Sequence, residues 1–102
     1  MAYRIVFSPI AEVQLLKLYR DIAERGLPGV AENYTVAIVE YCRSFSTFPQ
    51  RGARRDDIRP GLRTVGYHRR VTIAFEVTDD AVNILGVYYG GQDFEADFQG
   101  DD

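Results

Sequence analysis

The spacing of the apolar residues changes once along this chain, and that change limits the folds open to it. Up to Phe48 they recur at three and four residues; from Leu62 onward they alternate. The first pattern belongs to amphipathic helices and the second to half-buried strands. Ser8-Pro9 marks the first helix start, because the serine oxygen can hold a free N–H and proline has no N–H to orphan. Ala11, Leu15, Leu18 and Ile22 then form one stripe, with Tyr19 and Ala23 at its shoulder. Gly26 ends this helix by taking a left-handed conformation. Leu27-Pro28-Gly29 reads as a short turn. A second stripe, Val30, Tyr34, Ala37, Ile38, Tyr41, Phe45 and Phe48, holds for about five turns. Two amphipathic helices so closely joined form an antiparallel hairpin. Val13 and Leu16 on the first helix, and Val36 and Val39 on the second, fall off the stripes; they are either ordinary exposed apolar residues or a second contact face.

A helical hairpin must bury its stripe, and the rest of the chain supplies a sheet to receive it. Tyr3–Phe7 reads as a first strand. Leu62–Tyr67, Arg69–Val77 and Val82–Tyr89 follow, with Val71, Ile73 and Phe75 on one face. Thr78-Asp79-Asp80-Ala81 is a hairpin turn and the link at Tyr67-His68 is also short, so these neighbours run antiparallel. Phe48–Arg55 is a polar loop broken by proline and glycine. Gly90-Gly91 ends the sheet, Asp93–Phe98 forms a helical turn with Phe94 and Phe98 on one side, and Gln99–Asp102 is a frayed acidic end. The expected fold is α+β: a helical hairpin packed on a small, mainly antiparallel β-sheet, in the order β-α-α-β-β-β with a short C-terminal helix, as one domain over residues 1–102.

Charge is sharply divided along the chain. Arg43, Arg51, Arg54, Arg55, Arg59, Arg63, Arg69 and Arg70 stand between residues 43 and 75 against only Asp56 and Asp57, whereas residues 76–102 hold eight acids and no Lys or Arg. Arginine without lysine in the basic stretch favours recognition, since a guanidinium grips carboxylates and backbone oxygens with two prongs. Arg59 and Arg63 could instead pair with Asp56, Asp57 or the acidic tail. A sequence pI near 5.1 argues against direct sequence-specific nucleic-acid binding. The composition, 46% hydrophobic and 26% charged, is that of a globular chain. Neither a signal peptide nor a membrane span is visible, so the expected setting is cytoplasmic.

Catalytic chemistry is poorly supplied. Cys42, the single cysteine, excludes an internal disulfide and reads as a small buried apolar group. His68, the single histidine, sits at a turn. Tyr88 and Tyr89 could transfer protons only with strong tuning from a pKa of ~10, and as strand neighbours they face opposite sides. One His, one Cys and scattered acids make no metal cluster, and no cofactor motif is present.

The order of elements, with Ser8-Pro9, Asp57-Ile58-Arg59-Pro60-Gly61-Leu62-Arg63 and Ile84-Leu85-Gly86-Val87-Tyr88-Tyr89-Gly90-Gly91-Gln92-Asp93-Phe94-Glu95, resembles the ParE branch of the RelE/ParE type II toxin superfamily over Tyr3 to about Phe98. The resemblance implies a growth-arresting toxin that is not itself an enzyme, with DNA gyrase as target. It also implies a cognate antitoxin, ParD-like, with a ribbon-helix-helix part and a disordered tail. Target contacts would then fall on Arg54, Arg55, Arg59, Arg63, Arg69, Arg70 and Tyr89. The antitoxin tail would lie near Val13, Leu16, Val36 and Val39 and reach Arg59 and Arg63. Relatives of the RelE type cut messenger RNA on the ribosome. Members of the superfamily often carry Arg where Gly86 stands, His where Tyr89 stands and Arg where Gln92 stands, and their absence here speaks against a ribonuclease. A diverged, non-toxic interaction module is the third reading.

Overall fold

A computed structural model describes residues 2–90 and 94–99. The elements are β1 (Arg4–Phe7), α1 (Pro9–Ala23), α2 (Pro28–Arg43), a 3-10 turn (Ser44–Ser46), β2 (Ala53–Arg54), β3 (Arg63–Tyr67), β4 (Val71–Val77), β5 (Ala81–Tyr89) and α3 (Phe94–Gln99). The sheet order is β1-β5-β4-β3-β2. β5, β4, β3 and β2 pair antiparallel in succession, while β1 runs parallel to β5. The expected α+β arrangement is therefore present, with one parallel pair. The helical hairpin carries the chain away from β1, and β5 returns to lie beside it in the same direction. Gly91, Gln92, Asp93 and the acidic end at 100–102 lie outside the described residues.

Local chemistry accounts for the helices. Ser8 caps α1 by accepting from Ala11 N–H (3.0 Å), with Pro9 at the first helical position. Gly26 is left-handed (φ 82°), but it sits past the helix end at Ala23. Leu27-Pro28-Gly29 is not a free turn: Pro28 already begins α2, again because proline fits a first position. The second stripe is shorter than its spacing suggested. α2 stops at Arg43, and the tighter 3-10 turn keeps Phe45 in the core but rotates Phe48 outward to 70% exposure. Val30, one turn into α2, is also exposed. Within the loop that follows, Ala53 and Arg54 pair with Thr64 and Arg63 as a two-residue edge strand. The strand expected from Arg69 begins only at Val71, because His68 and Arg69 both adopt positive φ (51° and 65°) and make the turn.

The sheet buries both faces. Toward the hairpin, Ile73, Phe75, Val82, Ile84 and Val87 meet Ala11, Leu18, Ile38, Cys42 and Phe45. On the outer face Leu62, Ala74 and Tyr88 are buried beneath Ile58, Leu85, Phe94 and Phe98. Strict alternation along β5 would turn Val87 and Tyr89 away from the helices. The register slips at Ala74/Phe75, which oppose Gly86 and Ile84, so Leu85 is an extra residue. This bulge resets the phase. It is clasped from α1: Ser8 Oγ donates to Leu85 O (3.0 Å), and Val87 N–H donates to Gln14 Oε1 (2.6 Å).

Two measurements follow from this packing. Ser8→Ala removes a cap and the clasp on the bulge together and should lower unfolding free energy by about 1–3 kcal/mol in a urea titration. Cys42 is fully buried, and burial pushes its thiol from 9.0 up to about 12. A raised acid pKa favours the folded state below the unfolded value, and this advantage fades as pH climbs from 9.0 toward 12. The stability gap between wild type and Cys42→Ala should therefore narrow with rising pH across that interval, and native protein should resist alkylation that the unfolded chain undergoes at about pH 8.

Candidate functional site

The basic stretch is not one surface. Arg54 Nη2 lies 3.0 Å from Asp56 Oδ2. Arg55 spans two acids, donating to both Asp57 oxygens (3.1 Å each) and to Glu95 Oε1 (3.2 Å), and it thereby ties the Asp57 turn to α3. Its hydrogen bonds hold the Asp57 carboxyl below the ordinary range. Arg63 donates to Arg51 O (3.2 Å) and Gln50 Oε1 (3.0 Å). Arg51 donates to Phe48 O (2.6 Å) and Ser44 O (2.9 Å) while lying over the Phe45 ring at 4.9 Å. Arg59 sits over Phe98 at 5.9 Å. The pairs the sequence offered for Arg59 and Arg63 thus go to Arg54 and Arg55 instead, whose positions in the turn bring them opposite Asp56 and Asp57. Arg69 and Arg70 make no ion pair among the described residues and are exposed.

Arg69 and Arg70 stand at the β3–β4 turn with His68. Neither His68 nor Arg69 is a glycine or asparagine, the residues that visit the left-handed region routinely. Gly90 N–H donates to Arg70 O (2.7 Å), and the Tyr67 and His68 rings meet edge-on at 4.2 Å. Between this turn and the first half of α2 opens a cleft of about 550 Å³, lined by Val30, Asn33, Tyr34, Ala37, Tyr67, His68 and Arg70. Tyr34 meets Tyr89 edge-on (6.2 Å, 86°), and burial, then the neighbouring Tyr89, raise its phenol above 10.0. The sequence singled out Arg70 and Tyr89 for this region but treated Tyr34 and Val30 only as core. Their place in the first turns of α2, beyond the end of the sheet, is a property of the fold.

The outer face holds Gly86 and Tyr88. A Cβ on Gly86 would stand 2.6 Å from the Tyr88 ring, so the tyrosine occupies the space a side chain at that position would need. Tyr88 donates to Asp97 Oδ2 (3.0 Å); burial and that bond push its phenol up to about 12. Tyr88 and Tyr89 do take opposite sides. Tyr88 is covered and held neutral, whereas His68 is exposed at the turn with Arg69 and Arg70.

The hairpin's outward surface carries Val13 (65% exposed), Leu16 (49%) and Val36 (51%), joined by Ile10 (61%), which sequence reasoning passed over. Ile10, Pro9, Val13 and Gln14 line a small apolar hollow of about 260 Å³. Val39 is half-buried and does not share this exposure. Among the described residues no group of three or more His, Cys, Asp or Glu could hold a metal ion, and no helix is long and apolar enough to cross a membrane.

Comparison with known proteins agrees with this architecture. The fold superimposes on a chain of the chromosomal ParDE toxin–antitoxin system from P. aeruginosa with a TM-score of 0.75 and 22% identity, covering 87% of this chain and 97% of that one. A chain of a RelBE toxin–antitoxin complex from Mycobacterium tuberculosis superimposes with a TM-score of 0.62 and 21% identity, covering 87% and 99%. At such identities these likenesses carry the fold alone. No curated protein matches the sequence. The sequence model of the ParE toxin of type II toxin–antitoxin systems matches residues 5–94. The chain belongs to the ParE toxin family of type II toxin–antitoxin systems.

Proposed function

We propose that this ParE-family chain arrests growth by binding DNA gyrase and trapping its cleaved-DNA state, and that a cognate ParD-like antitoxin with a disordered tail neutralises it in the cytoplasm. The observation that carries a binding rather than a cutting role is the filled outer face. Where members of the superfamily often carry an arginine, Gly86 lies under the Tyr88 ring, and Leu62, Phe94 and Phe98 close the surface around it. Cleavage through a 2′-hydroxyl needs a base, an acid and cations converging on one phosphate. Tyr88 is held neutral, and Arg55 is tied to Asp57 and Glu95.

Arg69 and Arg70, which make no ion pair among the described residues, with Tyr89 opposite Val71 on the next strand, support a target-contact surface at the β3–β4 turn. The apolar patch at Ile10, Val13 and Leu16 supports a seat for an amphipathic segment of the antitoxin. Such tails are disordered until bound and pay their ordering entropy in the complex.

Purified protein incubated with gyrase, ATP and supercoiled plasmid should yield linear DNA after protease treatment, in a dose-dependent way and only without antitoxin. Transcript cleavage on translating ribosomes in place of linear DNA would establish the nuclease reading instead. Replacing Arg69 and Arg70 together by Glu should reduce linear product by about tenfold or more. Val13→Asp combined with Leu16→Asp should weaken antitoxin binding by about 2–4 kcal/mol in calorimetry, since each carboxylate would be desolvated without a partner; unchanged affinity would move the antitoxin off this patch.

A further inference from the structure

We infer that the tyrosine-lined cleft between α2 and the β3–β4 turn is the seat for an extended acidic segment of the target protein, one that carries a single aromatic or branched aliphatic anchor. This rests on the gyrase reading for the identity of the target, but the chemistry of the segment comes from the cleft itself. At about 550 Å³ it has the size of an ordinary ligand pocket, and Val30, Tyr34, Ala37 and Tyr67 give it apolar walls. Val30 is 53% exposed at its mouth, so an anchor inserted here would cover apolar surface that the fold leaves wet.

Three further observations select the occupant. Arg70 lines the rim and Arg69 stands beside it, and neither has an ion pair among the described residues, although Arg54 and Arg55 of the same basic stretch are paired internally. An anchor flanked by carboxylates would satisfy both cations. The turn that presents them holds two consecutive non-glycine residues at positive φ, His68 and Arg69, a conformation such residues rarely adopt. Strain of this kind persists where the position of the side chains matters. The segment is extended because β2 covers β3 only at Arg63 and Thr64, so that at Gly66, which pairs with Thr72 of β4 on one side, the other side of β3 meets no strand among the described residues. An open edge there accepts a strand and not a helix.

Stacked nucleic-acid bases fit less well. Tyr34 and Tyr89 meet edge to face at 86° and so make no flat platform, and the sequence pI is near 5.1. The antitoxin fits less well than the target, because the exposed apolar patch proposed for it lies on α1, where Lys17, 3.7 Å from Asp21, is already paired.

The chain contains no tryptophan, so indole emission reports on a probe alone. The peptide Asp-Glu-Val-Trp-Glu-Asp should bind saturably to wild type. It should bind about tenfold or more weakly to Arg70→Glu, which removes the rim cation, and to Ala37→Phe, which fills the cleft. Both variants should melt as wild type does, lose gyrase-dependent linear DNA and keep full antitoxin affinity. Equal binding by wild type and Arg70→Glu, or no binding at all, overturns the inference. So does an oligothymidylate that binds with the same sensitivity to both substitutions, which would make the cleft a nucleic-acid site. Loss of antitoxin affinity in both variants would assign the cleft to the neutralising partner instead. Wild-type protein that binds the peptide but leaves gyrase untouched refutes the gyrase reading, and with it the target assignment, while the peptide titration still measures the chemistry of the cleft.

Discussion

One extra residue in β5 decides which side chains face which side of this protein. Leu85 has no counterpart on β4, so the alternation that puts Val82 and Ile84 against the hairpin is restarted with Val87 and Tyr89 on that same side. Without the slip, Tyr88 would enter the helical interface, and Val87 would face outward with Tyr89. The bulge is held by α1 through Ser8 and Gln14, so helix start, strand phase and the sorting of two tyrosines form one connected arrangement. A backbone N–H at a sheet edge needs a partner, and Gln14 supplies one for Val87.

The arginines show how far composition can mislead about surface. A stretch with a formal excess of positive charge suggests a continuous basic face. Folding consumes most of it: Arg51 braces the end of the hairpin, Arg63 holds the loop before β2, and Arg55 fastens α3 to the segment before β3. Among the described residues, Arg69 and Arg70 at the β3–β4 turn and Arg43 at the end of α2 make no ion pair. Exposed ion pairs contribute little to stability, but they determine which cations are available to another molecule.

The helical hairpin, the core strands and the turn at Asp79-Asp80 were legible in the sequence because each leaves a local periodic or turn signal. Pairing of β1 with β5 leaves none, since it joins residues 77 apart and is decided by the path of the whole chain. The end of α2 was misplaced because a 3-10 turn continues the apolar spacing through Phe45 before it fails at Phe48. The turn at His68-Arg69 lacked the glycine or asparagine that usually marks positive φ. Of the proposed site, Arg69, Arg70, Tyr89, Val13, Leu16 and Val36 could be named in advance. The cleft could not, because it is made by Tyr34 and Val30 on α2 meeting a turn some 35 residues later.

The contact between Gly86 and the ring of Tyr88 makes these two positions a single unit of change. No side chain can enter at 86 while the tyrosine lies across it, and the tyrosine is itself anchored to Asp97 on α3. A side chain gained at 86 therefore requires the ring of Tyr88 to swing aside or be replaced, and either change gives up its bond to Asp97 on the C-terminal helix. Sterics thus couple what stands at position 86 to how firmly α3 is fastened to the outer face of the sheet.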